Sequence, residues 1–435
     1  MKSILLLAVS VLLVGMIRLS AAPVFEVRDF GAVGDGTNDD TAAIQKALDT
    51  CDGTGGTVHF PAGTWWSRPL VIHTKTTLSL ARGATLQASP VQSDYLKGGG
   101  DWLKARGSGA FISFLSGNNL ADIVIEGPGT IDGNGQVWWP EAEKARRKVS
   151  GYTLPRPNLI SLNRVTNLRV QDITLQNSPK FHLVPSDCTG VVISNTTILA
   201  PEHAANTDAI DPSSCRQVLI THCTIDVGDD NVAIKAGRAT AGREFACEDI
   251  TVTDCTFRHG HGMSIGSETG GGVRHVWVRN CTFANTENGL RIKSQIGRGG
   301  RVEDIRYEHI TMTNVDPAIT FTMYYQNNSA HDAAGGSTTQ ATPARLPTDN
   351  IPAYRDIYLT DLQATCPRAA GVINGLPESC ISNVVFENVT ITSAKGFEIS
   401  NARGIQLKQA TVTPKNGPPY LLTNAQVDGV SPANN

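Results

Sequence analysis

The 435-residue chain has no block of like charge, and charged side chains make up only 18% of it. That excludes a disordered acidic or basic tail protein, which needs such blocks. Glycine, at 42 residues, is far below the one in three of a collagen, and the 40% of hydrophobic residues form no sustained heptads, so a coiled coil is excluded too. The formal net charge is only −3, so nothing global invites nucleic acid or an anionic membrane. Beyond Ile17 no apolar run approaches the roughly 20 residues that a spanning helix needs.

The apolar run before that point has a different character. Lys2, the stretch Ile4 to Ile17, and Ser20-Ala21-Ala22-Pro23 follow the charged, apolar and small-residue order of a secretory signal. Residues 1–22 are therefore expected to be removed, leaving residues 23–435 as one mature domain, secreted to the extracellular space or periplasm and free of the membrane. Loss of Lys2 and Arg18 takes the net charge from −3 to −5. Export also exposes nine cysteines to an oxidising compartment, and their odd number leaves at least one unpaired.

The length prior of about 150 residues per domain suggests two or three domains, but internal repeats replace it. A segment of alternating apolar residues closing on Thr recurs as NLRVQDITL, GVVISNTTI, QVLITHCTI, DITVTDCTF, HVWVRNCTF, DIRYEHITM, NVVFENVTI and GIQLKQATV. The Thr positions are 174, 197, 224, 256, 282, 311, 390 and 411, with DIYLTDLQA a degenerate copy. Period-two alternation rich in Ile and Val selects strands, and steps of 21 to 32 residues, except across the degenerate copy, select a solenoid. A leucine-rich horseshoe lacks its Leu framework here. The expected fold is all-β: a single right-handed parallel β-helix with a short N-terminal capping helix over residues 40–48. Asp35, Asp39 and Asp40 before that helix are read as turn and cap residues.

In such a coil equivalent positions stack one rung apart, so columns of the alignment become ladders. Cys223, Cys255 and Cys281 fall in a column with Ile173, Thr196, Ile310, Leu362, Val389 and Ala410, and are read as a buried apolar stack. Cys51, Cys188, Cys215, Cys247, Cys366 and Cys380 lie outside it and are the disulfide candidates, with pairing open. His222 and His309 share a polar turn column with Asp172, Asn195, Asp254, Asn280, Asp361 and Asn388. They are read as structural, and the sequons at Asn195, Asn280 and Asn388 as turn residues.

A second strand follows each repeat, starting at DAIDP, DNVAI, HGMSI, NGLRI and PAITF. Asp208, Asp230, His261 and Asn288 then share one column. Two outward-facing columns collect Asp211, Ala233, Ser264, Arg291 and Thr320, and Ser213, Lys235, Gly266, Lys293 and Thr322, with Asp229 beside Asp230. Crowded carboxyls suit glycoside hydrolysis, because like charges a few ångströms apart cannot all ionise and one can stay protonated as the acid. A single Asp here would be a turn residue. The stacked set, with cations on adjoining rungs, reads as a site.

Asn206-Thr207-Asp208, Gly228-Asp229-Asp230, Gly260-His261-Gly262 and Arg291-Ile292-Lys293, in this order, resemble the four motifs of the polygalacturonase family of glycoside hydrolases. FGAVGDG, RPNLISL, NSPKFHL and GHGMSIGSE extend the resemblance over roughly Phe30 to Tyr325. It implies an inverting pectin hydrolase acting on α-1,4-linked galacturonate, with no metal and no cofactor, whose partner is an anionic polysaccharide and which works as a monomer. It implies Asp229 as general acid, Asp208 and Asp230 as the pair activating water, and His261 as tuning the acid's protonation. Arg291 and Lys293 would bind galacturonate carboxylates, Asn206 would orient Asp208, and Lys235 and one of Tyr324 and Tyr325 would contact substrate. Rhamnogalacturonan or xylogalacturonan hydrolysis is the nearest alternative. A β-helix pectate lyase and a non-catalytic carbohydrate-binding solenoid are the rivals from other classes. Trp102, Trp138 and Trp139 are open to a sugar-stacking or a packing role. The Ala-, Gly-, Ser-, Thr- and Pro-rich segment 326–352 is expected to bear on endo or exo attack by blocking one end of the cleft.

Overall fold

The computed structural model describes residues 22–105, 108–148, 154–237, 246–325 and 351–430. Nearly all of residues 1–22, expected to be a secretory signal, and nearly all of segment 326–352 lie outside them. One continuous sheet of 25 strands runs through the described residues, and every pairing between its strands is parallel. Most strands pair not with their immediate successors but with the equivalent strands one coil further along the chain, which makes the molecule a parallel β-helix. Parallel crossovers of this kind are right-handed.

The repeat residues pair as the sequence columns require. Thr174 bridges Thr130 below and Thr197 above, Thr197 bridges Thr224, Thr224 bridges Thr256, and the ladder continues through Thr282, Thr311, Gln363 and Thr390. The residue after each Thr points inward, so Leu175, Ile198, Ile225, Phe257 and Phe283 form a buried spine. At about 25 cal/mol per Å² of apolar area, each such side chain contributes roughly 2 to 3 kcal/mol against unfolding. The spine explains why Ile, Val and Phe recur there.

Between the two strands of each repeat the chain turns a corner through the left-handed region. Asp172, Asn195, His222, Asp254, Asn280, His309, Asp361 and Asn388 all have φ between +49° and +56°. Asn and Asp tolerate that conformation better than other side chains. Stacked one rung apart they also bond each other: Asn195 to Asp172 at 2.6 Å, Asn280 to Asp254 at 3.2 Å, and His309 to Asp361 at 3.1 Å. His222 and His309 are thus corner residues.

Helix Thr41–Thr50 covers the N-terminal end with Ile44, Ala47 and Leu48 fully buried. The Asp40 carboxylate accepts from the Val33 and Gly34 amides at 2.7 and 3.0 Å, and Asp35 accepts from Thr37 and Asn38. Asp39 accepts from the Thr41 amide at 3.1 Å. A second helix, Trp139–Lys148, was not anticipated from the repeats. Trp138, just before it, is fully buried edge-on against Tyr95, Trp102 and Phe111, and the Trp139 indole donates to the Ser178 carbonyl. All three Trp side chains pack the structure.

The disulfide expectation needs correcting. All nine cysteines are free and eight are buried. Cys223, Cys255 and Cys281 do form the apolar stack. Cys188, Cys215 and Cys247 form another, because their neighbours Thr189, Arg216 and Glu248 pair rung to rung. In a ladder the Cα–Cβ bonds run side by side, which is not the crossed geometry that a disulfide needs.

Candidate active site

Four consecutive rungs build the site. Leu183 bridges Ile210, Ile210 bridges Val232, Val232 pairs with Met263, and Met263 with Leu290. Two positions earlier stand Asp208, Asp230, His261 and Asn288, as the sequence alignment required. One position earlier again, Asp229 shares a column with Gly260 and Glu287. Gly260 has φ +117°, and a Cβ there would meet the Asp229 carbonyl at 2.5 Å. Only glycine lets the His261 rung approach the Asp229 rung so closely.

Asp229 and His261 face each other, Oδ1 to Nδ1 at 3.0 Å, and the far imidazole nitrogen of His261 meets Glu287 Oε2 at 3.1 Å. The remaining Asp229 oxygen accepts from Asn206 Nδ2 at 3.4 Å. Asn206 is held in turn by Arg156, whose Nη2 donates to Asn206 Oδ1 at 2.8 Å while Nε and Nη1 donate to the Leu154, Pro179 and Ala205 carbonyls. The resemblance had given Asn206 to Asp208. In the structure it orients Asp229.

Asp230 turns the other way, accepting from Lys293 Nζ at 2.7 Å and Ser264 Oγ at 2.7 Å, with Arg291 Nη1 at 3.6 Å. Asp208 meets Lys235 Nζ at 3.4 Å, and Lys235 also pairs with Asp211. Asp208 Oδ1 and Asp211 Oδ1 are buried with no hydrogen-bond partner. The ring of Tyr325 lies over both Arg291 and Lys293, centroid distances 5.4 and 5.1 Å. Of the tyrosine doublet, Tyr325 is therefore the member at the site.

The outward-facing columns are not exposed. Arg291 and Lys293 are only 2% and 5% accessible, and Asp208, Asp211, Asp230 and Ser264 are buried as well. Their side chains leave the core of the coil but pack against each other across rungs. Charges so placed are little screened, and burial and pairing compete in setting their titration.

Burial, then the charges of Asp229 and Asp211, push the Asp208 carboxyl well above the ordinary range against the pull of Lys235. Burial likewise lifts Asp211 to about 6, with Lys235 opposing. Burial also works to raise Asp229, but the charge and hydrogen bond of His261, with Lys293, outweigh it and hold Asp229 well below. Asp230 is lowered in the same way, burial being outweighed by Lys293 and Arg291. For His261 burial favours the neutral ring, yet Asp229 and Glu287 raise it well above the usual histidine value. Burial with neighbouring charge thus pushes Asp208 and Asp211 toward the protonated form, and the Asp229–His261 pair toward holding its proton on the imidazole. Atoms of Asp229, Asp230 and His261 also lie within 4.8 Å of one another. Lys293 Nζ and the His261 ring already pair with Asp230 and Asp229.

Arg156 and Glu287 escaped the sequence reading as site residues. Arg156 lies inside the RPNLISL segment but carried no column signal. Glu287 did carry one, since alignment one residue further back puts it level with Asp229.

Comparisons with known proteins agree with this geometry. Residues 103–413 match the family model described as Glycosyl hydrolases family 28, and residues 24–90 match one described as Rhamnogalacturonase A/epimerase, pectate lyase-like. An endo-polygalacturonase of Pectobacterium carotovorum subsp. carotovorum is 35% identical over 376 residues, covering 83% of this chain and 86% of that protein. The crystal structure of a hyperthermoactive exopolygalacturonase from Thermotoga maritima superposes with a TM-score of 0.75 at 26% identity, covering 90% of this chain and 91% of the other. The polygalacturonase from Erwinia carotovora ssp. carotovora gives 0.69 at 29% identity, over 94% and 97%. With four motifs on consecutive rungs and a family match spanning most of its length, this chain belongs to family 28 of the glycosyl hydrolases.

Proposed function

We propose that the protein is a polygalacturonase that hydrolyses α-1,4-galacturonosyl linkages of pectate with inversion. The observation that carries this reading is the cluster of buried Asp208 and Asp230 with the half-buried Asp229, and Arg291, Lys293 and Tyr325 two rungs beyond Asp229 and Asp230. Carboxylates able to give and take protons stand beside cations suited to a uronate carboxylate. The endo-polygalacturonase name of the Pectobacterium relative supports it.

In the ligand-free state Lys293 and Arg291 are engaged with Asp230. An arriving sugar carboxylate competes for them, adds negative charge and expels water. All three effects raise the affinity of the nearby carboxylates for protons. The proton on His261 Nδ1 then passes along the 3.0 Å hydrogen bond to Asp229 Oδ1, and from Asp229 to the glycosidic oxygen as that bond breaks. Asp230, which also accepts from Ser264 Oγ, and Asp208 orient a water on the opposite face of the sugar, and the Asp230 carboxylate takes its proton as it attacks the anomeric carbon. Solvent returns a proton to His261, whose Nε2 stays paired with the exposed Glu287 carboxylate.

One observation favours a second assignment. Of the three, Asp208 is the carboxyl that burial and neighbouring charge push toward holding a proton, and its Oδ1 is buried without a hydrogen-bond partner, so it could be the acid, with Asp229 and Asp230 as the ionised pair. A substrate with a good leaving group separates the two, because it no longer needs protonation. The variant lacking the acid should lose far less activity on such a substrate than on pectate. If Asp229→Asn behaves so, the first assignment holds; if Asp208→Asn does, the second.

The same reading makes residues 1–22 a secretory signal and residues 23–435 a single catalytic domain, working as an extracellular or periplasmic monomer on plant cell-wall pectin. Among the described residues no helix is long and apolar enough to cross a membrane. Products test the activity itself. Hydrolysis leaves saturated reducing ends, a lyase leaves ends that absorb in the ultraviolet, and a binding solenoid leaves none.

A further inference from the structure

Arg291 and Lys293 lie on the C-terminal side of the aspartates, and Lys180 stands on the other side. It is three residues before Leu183, which bridges Ile210 as Ile210 bridges Val232. Lys180 therefore continues the column of Asp229 and Glu287, and Phe181 that of Asp208, Asp230 and His261. Two rungs, about 9.6 Å at 4.8 Å each, separate Lys180 from Asp229. Two more lead from there to the rung of Arg291 and Lys293. The aspartates are thus flanked by cations at equal spacing.

Both Lys180 and Lys235 set their ammonium groups over the Phe181 ring, 4.1 and 4.5 Å from its centroid. Lys235 is committed to Asp208 and Asp211, and Arg156 to three carbonyls and Asn206. Among the described residues the Lys180 ammonium has neither a carboxylate nor a hydrogen-bond acceptor; the ring of Phe181 alone steadies it. Burial, reinforced by Lys235 and Arg156 against the nearby Asp208 and Asp211, lowers its affinity for its proton. A partly dehydrated cation among like charges is costly until an anion reaches it.

We propose that Lys180 is the carboxylate receptor of a second sugar subsite, across the aspartates from Arg291 and Lys293, which binds another galacturonate of the same polymer chain. This rests on the reading of the substrate as a polyuronate. It makes the enzyme demand free carboxylates on both sides of the cleaved bond.

The test uses K180Q and K180R with galacturonate oligomers of increasing length, measuring cleavage and, separately, binding by calorimetry. K180Q should raise KM and Kd about tenfold, the factor equivalent to about 1.4 kcal/mol, for oligomers long enough to reach both groups of cations. The shortest oligomers should bind it as they bind the wild type, and K180R should recover much of the affinity. Equal Kd and KM for K180Q and wild type at every length would overturn the subsite. So would a fall in kcat alone, which would make Lys180 a modulator of Asp208, or an equal loss in K180R, which would show that charge is not what counts. Wild type that neither binds nor cleaves any oligogalacturonate would remove the polyuronate reading and the subsite together. Wild type that does both, with K180Q its equal, removes the subsite alone.

Discussion

Lys293 and Asp230 form a buried ion pair at 2.7 Å, their side chains 6% and 2% exposed. Lys293→Met keeps most of the apolar stem and deletes the charge, leaving the Asp230 carboxylate buried. Removing one partner of such a pair costs about 3 to 5 kcal/mol. Arg291 and the Ser264 hydroxyl still face Asp230, so the lower end, about 3 kcal/mol, is expected near neutral pH. Urea unfolding of wild type and variant measures it. The sign with pH follows from the depressed Asp230: the pair contributes stability above the unfolded carboxyl value and loses it as pH falls through the folded one. Without its ammonium Asp230 protonates at higher pH, so the deficit of Lys293→Met should shrink on acidification. Adding Asp230→Asn should recover part of the loss, since no buried unpaired charge then remains. A loss below about 1 kcal/mol, the range of exposed pairs, would refute the buried-pair argument.

Glu287→Gln should move the basic limb of the kcat/KM profile to lower pH. Glu287 helps hold His261 protonated, activity needs that proton, and it is lost as pH rises through the His261 pKa; an unmoved limb would show that Glu287 does not control His261. Asp229→Asn and Asp230→Asn should each lower kcat on pectate by about a hundredfold or more with KM within about threefold, because the lost interactions belong to the transition state. Rates on pectate should exceed those on highly methylated pectin, and equal rates would dissociate Arg291 and Lys293 from carboxylate binding. A chelator should leave activity unchanged, whereas strong inhibition with rescue by calcium would point to a lyase.

The fold was readable because a solenoid writes its register into sequence. Thr174 and its successors mark one ladder, and the Asn and Asp corners mark another through their tolerance of positive φ. The same columns brought Asp208, Asp230 and His261 together before any coordinates. What the columns conceal is how deep a residue lies. Arg291 and Lys293 point away from the coil's core, yet their packing on Asp230 and Tyr325 buries them, which a period of two cannot register. Cys188, Cys215 and Cys247 were set aside because the repeat was aligned on its Thr, and they belong to a different inward column. Arg156, fixed by carbonyls from several rungs, needs a three-dimensional contact to be seen. Glu287 and Lys180 were within reach, had the second-strand alignment begun one residue earlier and one rung lower.

The central claim is that water replaces the glycosidic oxygen on the opposite face of a galacturonate while a carboxyl of the aspartate cluster protonates the leaving group. Proton NMR of pectate fragments during the first minutes of reaction tests it most directly, before the anomers equilibrate. The account predicts saturated reducing ends that appear first as the β-anomer. First appearance of the α-anomer would contradict inversion by Asp208, Asp229 and Asp230, and unsaturated ends would contradict hydrolysis itself.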